Sequence, residues 1–162
     1  MSNQVPAWQG PILDNHFHLN RNGRYLDAAH DFKRAGGTKI VLIHCPDFAS
    51  PPTTKEGHRA AYQNTIAMAE SVRTELDLHV RVVLGPHPAA FAHQFIEWVE
   101  QEGAKGKNRA IENYRDSIDE AVKFYHEGNA HAIGEVGRPH WEVSQEIWDL
   151  SNDLLCETMS LA

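Results

Sequence analysis

Apolar residues along this chain gather into four short runs, separated by longer stretches with helical spacing. Residues 12–17, 39–44, 79–84 and 131–135 have strand length, and turn or polar residues bound them. Residues 40–43 are apolar without alternation, which predicts a strand covered on both faces. Between the runs the period changes to that of a helix. Residues 25–35 place Leu26, Ala29 and Phe32 near one face, and Gly36-Gly37 stop them. Residues 55–77 carry a stripe of Met68, Val72 and Leu76. Residues 89–100 space Phe91, Phe95 and Trp98 by four and three. A break at 103–106 precedes a second helical run, 107–126, with Ile111, Tyr114, Ile118, Ala121 and Tyr125 along one side. A last helix over 144–159 is expected to bury Ile147, Leu150 and Leu154. Residues 1–10 show little pattern, and Val5 and Trp8 are expected to pack them against the body.

The order is therefore four β-then-α units. Each crossover is long enough for a right-handed parallel connection, and no hairpin signal lies between strands. The fold class is α/β with a parallel sheet. Two architectures satisfy the pattern, an open doubly wound sheet and part of a closed eight-stranded barrel. The 162 residues amount to one domain, with enough chain to bury a real core.

Composition narrows the partners. The chain has 15 basic and 22 acidic residues, a net charge of -7, which argues against a non-specific nucleic-acid surface or an anionic membrane. No basic-then-apolar leader is expected and no apolar run approaches the ~18 residues of a membrane span. Cys45 and Cys156 lie far apart and form no disulfide framework, so a reduced, cytoplasmic setting is expected. Eleven histidines hint at metal chemistry.

In a parallel α/β fold the chemistry sits at the carboxyl ends of the strands. The first run ends in His16 and His18, two places apart, so both point the same way while Phe17 points into a packed layer. Two imidazoles so placed can grip one divalent ion. The second run ends in His44 and Cys45, which face opposite ways, with Cys45 expected to be buried and inert. The third leads into His87, which can contact substrate from a loop stiffened by two prolines. The fourth ends in Glu135, a carboxylate that can bind one ion or bridge two. Arg138 is a candidate anion clamp, and His140 can join it. Tyr62 and Trp98 have helical neighbours and are expected in the core or an interface, not as base-stacking platforms. There is no Gly-rich phosphate loop, nucleophile elbow or His-Glu-x-x-His sequence.

At this point the chain resembles the TatD-related metal-dependent hydrolases of the amidohydrolase superfamily, which are (β/α)8 barrels. Residues 14–19, Asp-Asn-His-Phe-His-Leu, are similar to the family's opening Asp-x-His-x-His motif. Residues 85–88, Gly-Pro-His-Pro, resemble its Gly-x-His-Pro signature, and residues 132–137, Ala-Ile-Gly-Glu-Val-Gly, resemble its Ile-Gly-Glu-Ile-Gly signature. The resemblance implies His16, His18 and Glu135 as metal ligands, with Glu135 also catalytic. It implies divalent ions as cofactor, zinc foremost, with manganese or magnesium as alternatives. It further implies hydrolysis of a phosphoester, in a small molecule or a nucleic acid. His87, Arg138 and His140 are the expected substrate contacts. An amide or lactone substrate is the alternative within the same architecture.

The sequence departs from the family in two places. Arg138-Pro139-His140 stands where nuclease-like members have Leu-Asp, which looks more like an archaeal branch. The family's further ligands, two histidines on the fifth and sixth strands and an acid–base aspartate on the eighth, are absent. About 250 residues are typical of a whole barrel. Residues 1–162 are thus expected to form a single (β/α)4 half-barrel, four of eight units, with strands in the order 1-2-3-4. Its unpaired edges and open apolar inner face are expected to be completed either by chain beyond residue 162 or by a homodimer. A non-catalytic metal-binding module that assembles with itself or a partner is the remaining alternative.

Overall fold

The computed structural model describes residues 8–161. Four parallel strands pair in the order β1-β2-β3-β4, with β1 over Leu13–Phe17, β2 over Lys39–Ile43, β3 over His79–Leu84 and β4 over Ala132–Ile133. Helices α1 (Leu26–Arg34), α2 (Lys55–Leu76), α3 (Pro88–Glu102), α4 (Ala104–His126) and α5 (Gln145–Met159) complete the chain. The sheet is sequential and parallel with its helices in the crossovers, consistent with part of a barrel wall. The 3-2-1-4 order of a doubly wound sheet is not observed.

Local chemistry accounts for where the elements stop. Tyr25 has φ 42°, outside the helical region, so α1 begins one residue later than the apolar spacing predicts. Thr54 caps α2, its hydroxyl accepting the Gly57 N–H at 3.1 Å. Pro88 occupies the first turn of α3, where a missing N–H costs nothing. The break expected across 103–106 contracts to Gly103, and α4 starts at Ala104. Gly106, now inside α4, is required by packing. A Cβ built there would lie 1.9 Å from the Trp98 carbonyl oxygen, so the α3 backbone sits where any side chain would go.

The sheet is covered on one face only, against the expectation from residues 40–43. Ile40, Leu42, Val80, Val82 and Leu84 are buried against α1, α2 and α4, together with Ala29, Met68, Val72, Leu76 and Phe124. The alternate residues of β2 and β3 point the other way. Lys39, His79 and Arg81 are exposed there, Val41 and Val83 are half-buried, and Ile43 is buried at the end of β2. This open face is therefore mixed rather than apolar. A second cluster joins Phe91, Phe95, Trp98, Tyr114, Ile118, Ile147 and Leu154 between α3, α4 and α5, with Leu150 partly buried at its edge. Tyr62 is buried with the first cluster and Trp98 with the second, as expected of core residues. Two expected core residues are outside: Tyr125 is exposed, its place taken by Phe124, and Trp8 is 72% exposed, its indole N–H donating to the Pro11 carbonyl at 3.3 Å. Val5 lies outside the described residues.

Behind the strand ends, α2 and α4 meet through buried polar pairs. The hydroxyls of Tyr62 and Ser117 are 2.6 Å apart, and His58 Nε2 lies 3.0 Å from Asn113 Oδ1. Asn113 in turn donates to Gln94 Oε1 and to the Pro52 carbonyl, so the group is closed on itself. His44 belongs here and not on the open face. It is buried, with Nδ1 2.8 Å from the Thr65 hydroxyl and its ring edge-on to Tyr62. Burial, aided by the neighbouring imidazoles, pushes its pKa from 6.5 down to about 3.

The close α3–α4 crossing makes Gly106→Ala a stability probe. Overpacking of this kind typically costs about 1–3 kcal/mol, so the variant should unfold at clearly lower urea than the parent. An unchanged midpoint would contradict the crossing. His44 gives a pH signature. Its neutral folded form takes up a proton on unfolding, so its contribution is fully present above the ordinary imidazole pKa and is lost as pH falls from there toward the folded value. The loss has a limiting slope of about 1.4 kcal/mol per pH unit. Urea titrations at several pH values between these limits should show a shallower acid loss in His44→Asn than in the parent. Equal slopes would remove His44 as the source.

Candidate metal centre

The four strands end on one rim because they run parallel, and three of the expected side chains meet there. Ligand atoms of His16, His18 and Glu135 all lie within 4.8 Å of one another. His16 Nε2 is 3.6 Å from Glu135 Oε1, and His18 Nε2 is 4.0 Å from Glu135 Oε2. The two imidazoles project together from the end of β1, edge to face, while Phe17 turns away to pack on Phe32. Asp14 does not join them. Its carboxylate accepts the backbone N–H of His16 at 2.9 Å and shapes the strand end.

Each group is held by its neighbours. His18 Nδ1 is 3.0 Å from the Ile43 carbonyl, which only accepts, so the proton sits on Nδ1 and the Nε2 lone pair faces Glu135. Glu135 follows Gly134 at the end of β4, and that peptide bond is cis. The ends of β3 and β4 touch here. A Cβ at Gly85 would stand 2.7 Å from the Gly134 carbonyl oxygen, so the glycine opening the Gly-x-His-Pro stretch allows the close approach that sets Glu135 in place.

His87 also reaches the site, its Nε2 3.6 Å from Glu135 Oε2. Burial lowers its pKa, against the opposing pull of Glu135. The ring of Phe48 packs edge-on to it at 5.1 Å. His140 is exposed beside Trp141 and near enough to influence His87 electrostatically. The Arg138 guanidinium turns to α5 instead, where it donates to Asn152 Oδ1 at 3.2 Å and lies over the Trp148 ring. Cys45 is exposed, against expectation, because strand parity puts buried His44 on the helix side and Cys45 on the open side. Surrounding protein and the Glu135 carboxylate push its thiol pKa up.

The donor set fits a divalent cation. Glu135 Oε2 is buried and has no hydrogen-bond partner among the described residues, although two imidazole nitrogens face it. An anionic oxygen in that state needs a cation or a donor. Tetrahedral ligation at about 2.0–2.1 Å sets neighbouring ligand atoms roughly 3.4 Å apart; the two imidazole–carboxylate separations are 3.6 and 4.0 Å and the whole set lies within 4.8 Å, so the side chains must draw together to share one ion. Beside the centre, a cleft of about 410 Å³ is lined by His18, Asn20, Arg21, Cys45, Asn64 and Thr65, among others. The Arg21 guanidinium is braced there by Asn64 at 2.7 Å and by the Tyr25 hydroxyl. Sequence reasoning passed over both. Arg21 carried the signal of a cation in the loop after the first strand, but mid-helix Asn64 carried none.

A family model described as TatD related DNase matches residues 13–162. An uncharacterised protein of Methanocaldococcus jannaschii is 28% identical over 155 residues, which cover 94% of this chain and 51% of the relative. The chain thus spans about half the length of the curated relative it matches. No solved structure matches it significantly. With a parallel β/α sheet, paired histidines at the end of its first strand and a glutamate at the end of its fourth, the chain belongs to the TatD related DNase family.

Proposed function

We propose that this chain is four of the eight (β/α) units of a metal-dependent hydrolase acting on phosphoester bonds, nuclease-like or on a smaller substrate. The observation that carries the reading is the convergence of His16, His18 and Glu135 around a buried, unpartnered carboxylate oxygen. His16 and His18 would hold the ion through Nε2, and Glu135 would add the negative charge. Zinc suits this N,N,O donor set, and manganese or magnesium are the alternatives. A bound divalent ion supplies water activation and polarises the phosphoryl oxygen. Glu135 is the one carboxylate of the cluster and would bind one ion or bridge two, while the acid–base aspartate of the family would come from the completing units. The cleft past His18 receives the part of the substrate flanking the scissile bond, with Arg21 as its cation. His140 contacts the substrate near Glu135, and the ring of His87 borders its approach. Arg138 joins them only when freed from Asn152.

The three-ligand cluster and the half-length match to the relative support completion of the site by four further units. They equally favour a second reading, a metal-binding half-barrel without turnover that assembles with itself or a partner. Among the described residues no helix is long and apolar enough to cross a membrane. The two free cysteines fit a reducing, cytoplasmic setting.

Calorimetric titration of the chain with zinc, alongside a screen of phosphodiester, phosphomonoester and amide substrates, separates the readings. Zinc should bind, and His16→Ala and His18→Ala should each weaken it at least as much as the roughly 10–100-fold loss typical when a group supporting a ligand is removed. Binding without turnover selects the incomplete module. Phosphoester turnover that survives both substitutions would refute the assigned site.

A further inference from the structure

The two histidines facing Glu135 Oε2 are not equivalent, and backbone partners decide how they differ. His18 Nδ1 meets the Ile43 carbonyl, which can only accept, so His18 carries its proton on Nδ1 and offers a lone pair at Nε2. His87 is the N-cap of α3, and its Nδ1 takes the Ala89 N–H at 3.0 Å. That amide can only donate, so His87 Nδ1 is bare and the proton of the neutral ring is on Nε2. This Nε2–H faces Glu135 Oε2 at 3.6 Å, and among the described residues the oxygen has no other donor. The ring is 16% exposed and packed edge-on against Phe48, which restricts its rotation.

We infer that His87 is a positioning residue of the metal centre: a hydrogen-bond donor to Glu135 Oε2, and not a ligand. The inference rests on the metal-centre reading above. Its physical basis is that one carboxylate oxygen meets a lone pair on one side and an N–H on the other. The lone pair of His18 repels Oε2 unless a cation or a bridging donor lies between them. The N–H of His87 is compatible with it directly. A short closure of the 3.6 Å gap gives Oε2 its partner and orients the carboxylate toward His16 and His18. The helix cap and the donor are two ends of one ring, so the N-terminus of α3 holds the tautomer that the site needs.

Imidazole nitrogen NMR on the ¹⁵N-labelled chain tests this without any need for turnover. The spectra are taken above the ordinary imidazole pKa, with and without zinc. His87 should show a protonated Nε2 and a bare Nδ1, and His18 the reverse. Zinc should shift the Nε2 signals of His16 and His18 and leave His87 Nε2 protonated. A proton on His87 Nδ1, or zinc on its Nε2, overturns the inference. If zinc shifts none of the three, the metal reading fails, while the His87 tautomer is still decided by the same spectra. Two variants separate cap from donor by side-chain length. His87→Asn keeps an oxygen that can cap α3 but cannot reach Glu135, so thermal stability should hold while zinc affinity falls by roughly 10–100-fold. His87→Gln puts an amide N–H near the Nε2 position, so it should recover most of the zinc affinity at lower thermal stability. An Asn variant that binds zinc as tightly as the parent also overturns the inference.

Discussion

Parallel pairing is the constraint on which the site depends. Because all four strands run the same way, their carboxyl ends fall on one rim. Residues 16, 18, 87 and 135 therefore meet although they are remote in sequence. The pairing of β2 with β3 runs without a break from Lys39↔His79 to Ile43↔Val83. The pairing of β1 with β2 shifts between Asp14 and Phe17. That irregularity lies where the strand must turn two imidazoles onto the rim, and the Asp14 carboxylate stabilises it by accepting the His16 N–H.

The polar groups around the rim divide into two sets by which side of the sheet they occupy. His44, His58, Asn113, Gln94 and the Tyr62–Ser117 pair are on the helix side and buried, with His44 bonded to Thr65, His58 and Gln94 to Asn113, and Tyr62 to Ser117. Such a network specifies packing, since each member left unpartnered would cost free energy. His16, His18, His87 and Glu135 are on the open side, and their arrangement leaves an oxygen without a partner. The Tyr114 and Ser151 hydroxyls in the helical layer also lack partners among the described residues, but Glu135 Oε2 is the carboxylate among the three, and an unpartnered carboxylate oxygen asks for a cation or a donor. The contact between Gly85 and Gly134 links the two sides, because it sets the distance from the end of β3 to the end of β4.

Much of this was legible in the chain itself. Every strand and helix was expected within a few residues of its observed bounds, since the change from unbroken apolar runs to helical spacing is a local signal. Boundary shifts came from single backbone states such as the left-handed Tyr25 and from the proline that starts α3. The exposure of Tyr125 and Cys45 was misjudged for one reason. Periodicity gives a face to each residue but not the partner of that face: at the end of α4 it is Phe124 that meets the core, and Cys45 lies on the side of the sheet that helices do not cover.

The sequence by itself determined the order of elements, the parallel topology and the residue types at each strand end, because hydrophobic period and crossover length are properties of neighbouring residues. Only the tertiary structure decided which of those residues share a site. His44 and His18 both follow strand ends, yet one is sealed against Thr65 and the other faces Glu135. Arg138 is three positions from Glu135 but is held by Asn152 on α5. The tautomers of His18 and His87 depend on a carbonyl of β2 and an amide of α3. The direction of a side chain and the place of its proton follow from which backbone groups lie within hydrogen-bond reach, and packing supplies those groups.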